Sequence, residues 1–185
     1  MRILIVGSGG REHTLYRSFM KWGHTVFVAP GNAGVEFSRR CPHKDMEIGR
    51  LIEFSKEKKI DLVVVGPEGP LVHGIVDAFD ALSEGVKIFG PTKKAARIEG
   101  SKIFCREVAE RAGVKMARGF VAATMQEALD AIERFDKPPV IKADGLCGGK
   151  GVFLPDTKQA CQEVARDLLI HKTLGSAGER SAGEE

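Results

Sequence analysis

The 185 residues contain no Cys-x-x-Cys pair, and the four cysteines, Cys41, Cys105, Cys147 and Cys161, lie far apart from one another. That spacing suggests neither a zinc site nor a disulfide framework, so the expected compartment is the reducing cytoplasm. Long apolar runs are missing too. The run over residues 3–6 stops at Gly7, too short for a signal-peptide core, and no later stretch is long enough to span a bilayer. Excess charge of one sign is also scarce. A net charge of +3 leaves no broad electrostatic footprint for nucleic acid, while phosphorylated small molecules remain compatible. What is present is an ordinary globular composition, 43% hydrophobic and 29% charged. The chain is long enough for one large domain, or for one domain plus part of another.

Residues 3–6, 25–29, 62–65 and 86–89 are β-branched runs that read as four strands buried on both faces. Between them, residues 12–22, 48–58 and 71–82 carry apolar side chains at helical spacing. This alternation predicts an α/β fold, a Rossmann-like, doubly wound parallel sheet over residues 1–100. Each strand ends in a loop rich in glycine or proline: Gly7-Ser8-Gly9-Gly10, Pro30-Gly31-Asn32-Ala33-Gly34, Gly66-Pro67-Glu68-Gly69-Pro70 and Gly90-Pro91-Thr92. In such a sheet these loops gather at the carboxyl edge, where ligands bind. A helical stretch from residue 93 to about 111, capped by Thr92 and interrupted near Gly100, predicts a helical connector over residues 101–117.

Beyond the connector, a strand near Phe120 and Val121, a helix over 125–135, a lysine-bearing hairpin and a helix over 157–170 predict a small second lobe over residues 118–175. Residues 176–180 and 181–185 form a near-repeat of small and charged residues that buries too little apolar surface to order itself. A disordered tail over 176–185 is therefore expected.

The strongest chemical signal is Val140-Ile141-Lys142-Ala143-Asp144-Gly145-Leu146-Cys147-Gly148-Gly149-Lys150-Gly151-Val152. An apolar strand delivers Lys142, where a long cation must either reach out to water or meet an anion. The loop that follows holds Gly148, Gly149, Lys150 and Gly151, whose backbone N–H groups can converge on phosphate oxygens beside a mobile positive charge. The same pattern also fits a glycine-rich hairpin whose lysines face water.

In the first loop, the third glycine of a dinucleotide fingerprint is replaced by Glu12, and the second strand ends in Ala29-Pro30 with no acidic residue. Nicotinamide dinucleotide binding is therefore not expected. The amides of Gly9 and Gly10 at a helix start still favour an anion, and Arg11 can add a charge-assisted bond, although a tight turn with a solvated arginine has the same sequence. Glu68, after Pro67, is suited to accept hydrogen bonds from sugar hydroxyls or an amine, or simply to complement a helix dipole. His13 reads as a packing residue, Asn32 as a turn former, and Lys102 by itself as a surface lysine. Cys147 and Cys161 have no neighbour that would make them nucleophiles.

Taken together, Val6-Gly7-Ser8-Gly9-Gly10-Arg11-Glu12-His13, Val28-Ala29-Pro30-Gly31-Asn32-Ala33-Gly34, Val65-Gly66-Pro67-Glu68, Ile88-Phe89-Gly90-Pro91-Thr92, Glu99-Gly100-Ser101-Lys102 and the lysine hairpin resemble, in order, the phosphoribosylamine-glycine ligase family. The resemblance covers nearly the whole chain but only the front of the family, whose members are more than twice as long. It implies a pre-ATP-grasp domain followed by a truncated first ATP-grasp lobe. The implied activity is the ATP-dependent ligation of glycine to 5-phosphoribosylamine through glycyl phosphate, giving glycinamide ribonucleotide in purine synthesis, with ATP and Mg2+ as cofactors.

Carried over residue by residue, Gly9, Gly10, Arg11, Glu12, His13, Pro67 and Glu68 match the phosphoribosylamine side. Lys102, Lys142, Gly148, Gly149, Lys150 and Gly151 match the ATP side, with Lys142 and Lys150 stabilising the transferred phosphoryl group. Where members commonly show Ala-Ala before Gly-Lys-Gly, this chain has Cys147-Gly148. The resemblance further implies an apolar strand and an acidic, adenine-contacting stretch after the Gly-Glu-Arg region, then magnesium ligands and the glycine site. The second ATP-grasp lobe, the metal ligands and much of the adenine pocket are expected to be missing here, which would leave a catalytically inactive fragment that binds phosphosugar or nucleotide; another ATP-grasp carboxylate–amine ligase is the remaining alternative. The glycine loops and the lysine hairpin are expected to share one pocket.

Overall fold

A computed structural model describes all residues, Met1–Glu185, and divides them into two units, Met1–Ala96 and Arg97–Glu185. The division falls ahead of the expected boundary at residue 100, and residues 101–117 belong to the second unit rather than forming a separate connector.

In the first unit, β1 (Arg2–Gly7), β2 (Thr25–Pro30), β3 (Leu62–Val65) and β4 (Lys87–Phe89) form a wholly parallel sheet of order β2-β1-β3-β4. Successive side chains of β1 point to opposite faces. Leu4 and Val6 join Phe27, Leu51, Phe54, Val63, Ile75 and Phe79 under α2 (Ile48–Glu57) and the later helices, while Ile3 and Ile5 join Tyr16, Val26 and Val28 under α1 (Gly10–Lys21). Helices on both faces explain why β1 reads as a continuous apolar run.

Two expectations are corrected here. β4 is not buried on both faces: it is an edge strand of three residues, and Phe89 is 70% exposed. The helix expected over 71–82 is two helices, α3 (Glu68–Val72) and α4 (Ile75–Leu82), because Gly74 takes a left-handed φ of +91° that interrupts the helical path.

The chain runs from β1 outward to β2, then returns to place β3 on the other side of β1. This reversal opens a crevice beyond the carboxyl ends of β1 and β3, a position where open α/β sheets bind ligands.

The second unit follows α5 (Lys93–Gly100), which spans the division, with α6 (Lys102–Arg111), β5 (Gly119–Ala122), α7 (Met125–Glu133), β6 (Val140–Ala143), β7 (Val152–Phe153), α8 (Lys158–Leu169) and β8 (Ser181–Glu184). Each of its later helices begins where a hydroxyl accepts a backbone N–H: Ser101 from Phe104 at 3.0 Å, Thr124 from Glu127 at 3.2 Å and Thr157 from Ala160 at 3.1 Å. Its sheet is antiparallel, order β5-β8-β6-β7, with α7 and α8 packed on the face that carries Ala122, Ile141 and Ala143.

The expected disordered tail is instead an interior strand. β8 pairs antiparallel with β5 on one side and β6 on the other, and Ser181, Ala182 and Gly183 are buried. Composition describes the segment only in isolation. Two flanking strands satisfy its backbone groups on both sides, which outweighs its low β-propensity.

Candidate functional site

At the crevice of the first unit, α1 starts directly after β1, so its first N–H groups and positive dipole end face the sheet edge. The Glu12 carboxylate turns back beneath the loop and accepts the Gly9 N–H at 2.6 Å. Only glycines leave room for it: an ideal Cβ on Gly66 would lie 2.0 Å from Glu12 Oε1, and one on Gly7 2.6 Å from its Cγ. Glu12 is 5% exposed and shapes the loop from below.

The neighbouring loops are tied in as well. Asn32 Nδ2 donates to the Ser8 carbonyl at 2.9 Å while its Oδ1 accepts the Gly34 N–H, and Arg11 Nη1 donates to the Gly66 carbonyl. Asn32, expected only to form a turn, thus joins the first two loops.

Ser8, Gly9, Gly10, Arg11, Glu12, Pro67 and Glu68 line one cleft of about 320 Å³, together with Asp45. Six of the seven residues carried over to the phosphoribosylamine side therefore share it. His13 does not: its ring lies against Gly34, where a Cβ would come within 2.6 Å, and its Nε2 is buried without a partner. Asp45 was missed because it arrives on the loop between β2 and α2 with no motif around it. The cleft carries groups of both signs. Helix-start amides and the Arg11 guanidinium favour an anion, and the carboxylates of Asp45 and Glu68 provide acceptors for hydroxyl or ammonium groups.

In the second unit, alternation along β6 sends Lys142 to the face opposite Ile141 and Ala143, away from α7 and α8. There it meets an anion supplied by the protein. Its ammonium pairs with Glu184 of β8, a diagonal neighbour across the ladder, and Arg106 of α6 holds the other carboxylate oxygen at 3.3 Å. Arg106 is only 11% exposed at its side chain. Neither Arg106 nor Glu184 was legible as a site residue, since their meeting depends on β8 being a strand.

Lys102, at the start of α6, directs its ammonium to the carbonyls of Gly145 at 3.1 Å and Asp144 at 3.5 Å. Gly148 and Gly149 have left-handed φ values of +54° and +81°. They shape an exposed loop in which the Lys150 N–H donates to the Cys147 carbonyl at 3.0 Å and Lys150 is exposed. No group of three or more His, Cys, Asp or Glu side chains able to hold a metal ion is present, and no helix is long and apolar enough to cross a membrane.

Burial raises the pKa of the Cys41 and Cys161 thiols above the ordinary value, so neither is poised as a nucleophile.

Residues 1–99 match the family described as phosphoribosylglycinamide synthetase, N domain, and residues 100–185 match phosphoribosylglycinamide synthetase, ATP-grasp (A) domain. The phosphoribosylamine–glycine ligase of Vibrio cholerae is 40% identical over 190 residues, covering 100% of this chain and 44% of its own length. The crystal structure of the phosphoribosylamine–glycine ligase of Thermotoga maritima is 33% identical, with a TM-score of 0.78 over 100% of this chain and 44% of that one. At 16% identity, the biotin carboxylase domain of the Hydrogenobacter thermophilus 2-oxoglutarate carboxylase, in complex with MgADP, ADP and bicarbonate, shares the fold with a TM-score of 0.75, covering 99% of this chain and 43% of that one. The chain spans less than half the length of the relatives it matches.

Proposed function

The chain belongs to the phosphoribosylglycinamide synthetase family, and from that premise we propose that it supplies the phosphoribosylamine-binding cleft and part of the ATP-binding surface of a phosphoribosylamine–glycine ligase. The observation that carries this reading is the cleft that brings Arg11, Asp45 and Glu68 together. A phosphorylated aminosugar matches this mixture of groups. Its phosphate suits the Gly10 amide at the start of α1 and the Arg11 guanidinium, and its hydroxyls and amine suit Glu68 and Asp45.

In the proposed reaction a carboxylate oxygen of glycine attacks the γ-phosphorus of ATP and the bond to ADP breaks. The amine nitrogen of phosphoribosylamine then attacks the acyl carbon of glycyl phosphate, inorganic phosphate leaves with the bonding electrons, and the nitrogen loses a proton. Lys102 and Lys142 contribute fixed positive charge on the ATP side, where charge accumulates during transfer. Lys150 and the glycine loop contribute mobile charge and amides that close over the phosphates and exclude water. Lys142 needs no unpaired burial before nucleotide arrives, because Glu184 balances it. The magnesium that accompanies ADP in the biotin carboxylase neighbour has no ligand set among these residues, and no step above runs through it.

Calorimetric titration with ribose 5-phosphate tests the cleft. Saturable binding is expected, weakened about tenfold or more in Arg11→Ala, since a charge-assisted hydrogen bond contributes roughly 1.5–3 kcal/mol and each 1.4 kcal/mol is a decade. No saturable binding, or equal affinity in the variant, overturns the assignment.

A further inference from the structure

The proposed ATP-side residues meet at a carboxylate to which no role was given by the sequence. Asp144 follows the last residue of β6, two positions after Lys142. Its Oδ1 accepts the Ser101 hydroxyl at 2.8 Å and the Ile103 N–H at 2.9 Å, the two residues that flank Lys102. Its carbonyl accepts the Lys102 N–H at 3.2 Å and, with the Gly145 carbonyl, receives the Lys102 ammonium. Its own N–H donates to the Arg180 carbonyl at 3.1 Å, and the Gly145 N–H donates to the Ala177 carbonyl at 3.2 Å. One residue therefore ties the start of α6, the end of β6, the entry to the glycine loop and the segment leading into β8.

We propose that Asp144 is a positioning residue that sets the spacing of Lys102, Lys142 and the glycine loop for the phosphates of a nucleoside triphosphate, a role that rests on the ATP-side reading above. The physical argument is one of pre-organisation. Lysine side chains are long and lose much rotamer freedom on binding, so their contribution depends on how far their backbones are held beforehand. Lys102 lies on a helix and Lys142 on a strand, and these elements are separated by a long stretch of chain. The Asp144 clasp joins them beside Lys102, while the Lys142–Glu184–Arg106 contact joins them one turn further along α6. Its charge sits at the N-terminus of α6, where a carboxylate complements the dipole and satisfies an N–H that the helix leaves free. Ser101 relays the contact, donating to Asp144 while accepting the Phe104 N–H at 3.0 Å.

Lysine acylation followed by mass spectrometry, combined with ATP titration, tests the role on the full chain. ATP is expected to protect Lys102 and Lys142 in the unsubstituted protein. Asp144→Ala should raise Lys102 acylation severalfold, leave Lys158 on α8 unchanged, and weaken ATP binding about tenfold, as loss of a residue that orients a ligating group commonly does. Asp144→Asn keeps an oxygen able to accept from Ser101 and Ile103 and should recover most of both effects. Should Asp144→Ala fail to fold, Ser101→Ala, which removes only the relay, carries the same expectation at smaller amplitude. The role is overturned if Lys102 labelling or ATP affinity is unchanged in Asp144→Ala, or in Ser101→Ala where that variant replaces it, or if Lys158 rises in parallel and so reports general loosening. Absence of ATP protection in the unsubstituted protein overturns the ATP-side reading itself, before any variant is made, and this role with it.

Discussion

Substituting Gly183 by alanine separates an ordered β8 from a frayed one by whether stability falls or stays unchanged. Gly183 lies opposite Phe120 in the β5–β8 ladder. An ideal Cβ there falls 2.1 Å from Phe120 Cε1, 2.5 Å from Cζ and 2.9 Å from Cδ1. Carbon atoms in good contact are roughly 3.5–4.0 Å apart, so the ring must move by more than an ångström. It has little freedom to do so, because it rests 5.8 Å from the ring of buried Phe135 and packs against the core of the second unit. Overpacking of this kind costs about 1–3 kcal/mol, and for a domain of this size each kcal/mol lowers the thermal midpoint by about 4–8 °C. If the segment were unpaired, the same change would restrict the folded and unfolded chains alike and leave stability within about 0.5 kcal/mol of the unsubstituted protein. Calorimetry of the unit, with hydrogen exchange of the β8 amides, reads the difference. Phe120→Ala removes the obstructing ring, so the double variant should show a coupling of at least about 1 kcal/mol. A neutral or stabilising Gly183→Ala, or strict additivity with Phe120→Ala, refutes the placement of β8.

Glu12→Ala should lower the stability of the first unit by about 2 kcal/mol in urea unfolding, since it leaves the Gly9 N–H without its charged acceptor and empties the space between Gly7 and Gly66; a loss below about 0.5 kcal/mol, typical of surface changes, would contradict that reading. The Glu127 carboxylate is held below its ordinary value of 4.5 by the backbone N–H groups of Ala123 and Thr124. A depressed folded value means that its stabilisation is complete above the unfolded value and fades as pH falls through the folded one, so the stability gap between the unsubstituted protein and Glu127→Gln should shrink as pH drops below 4.5. A gap independent of pH would show that the charge contributes nothing. With iodoacetamide, the partly exposed Cys105 and Cys147 should react in the native state, whereas buried Cys41 and Cys161, their thiols raised by burial, should react only on unfolding. Native-state labelling of Cys161 as fast as that of Cys147 would place it outside the core.

The sequence by itself determined the parallel α/β unit, the order of its strands along the chain and the two sets of glycine loops, because β-branched runs, helical spacing and loop residues are local signals that need no partner to be read. It also determined that Gly9, Gly10, Arg11, Pro67 and Glu68 belong at one edge, since parallel strands bring their carboxyl ends together. Only the tertiary structure decided the rest. Asp45 enters the cleft, and Glu184 and Arg106 meet Lys142, through contacts between residues distant in the chain. Gly74 breaks a helix whose apolar spacing continues through it. Ser181–Glu184 becomes an interior strand because β5 and β6 flank it, and a segment's own composition carries no record of the strands that will pair with it.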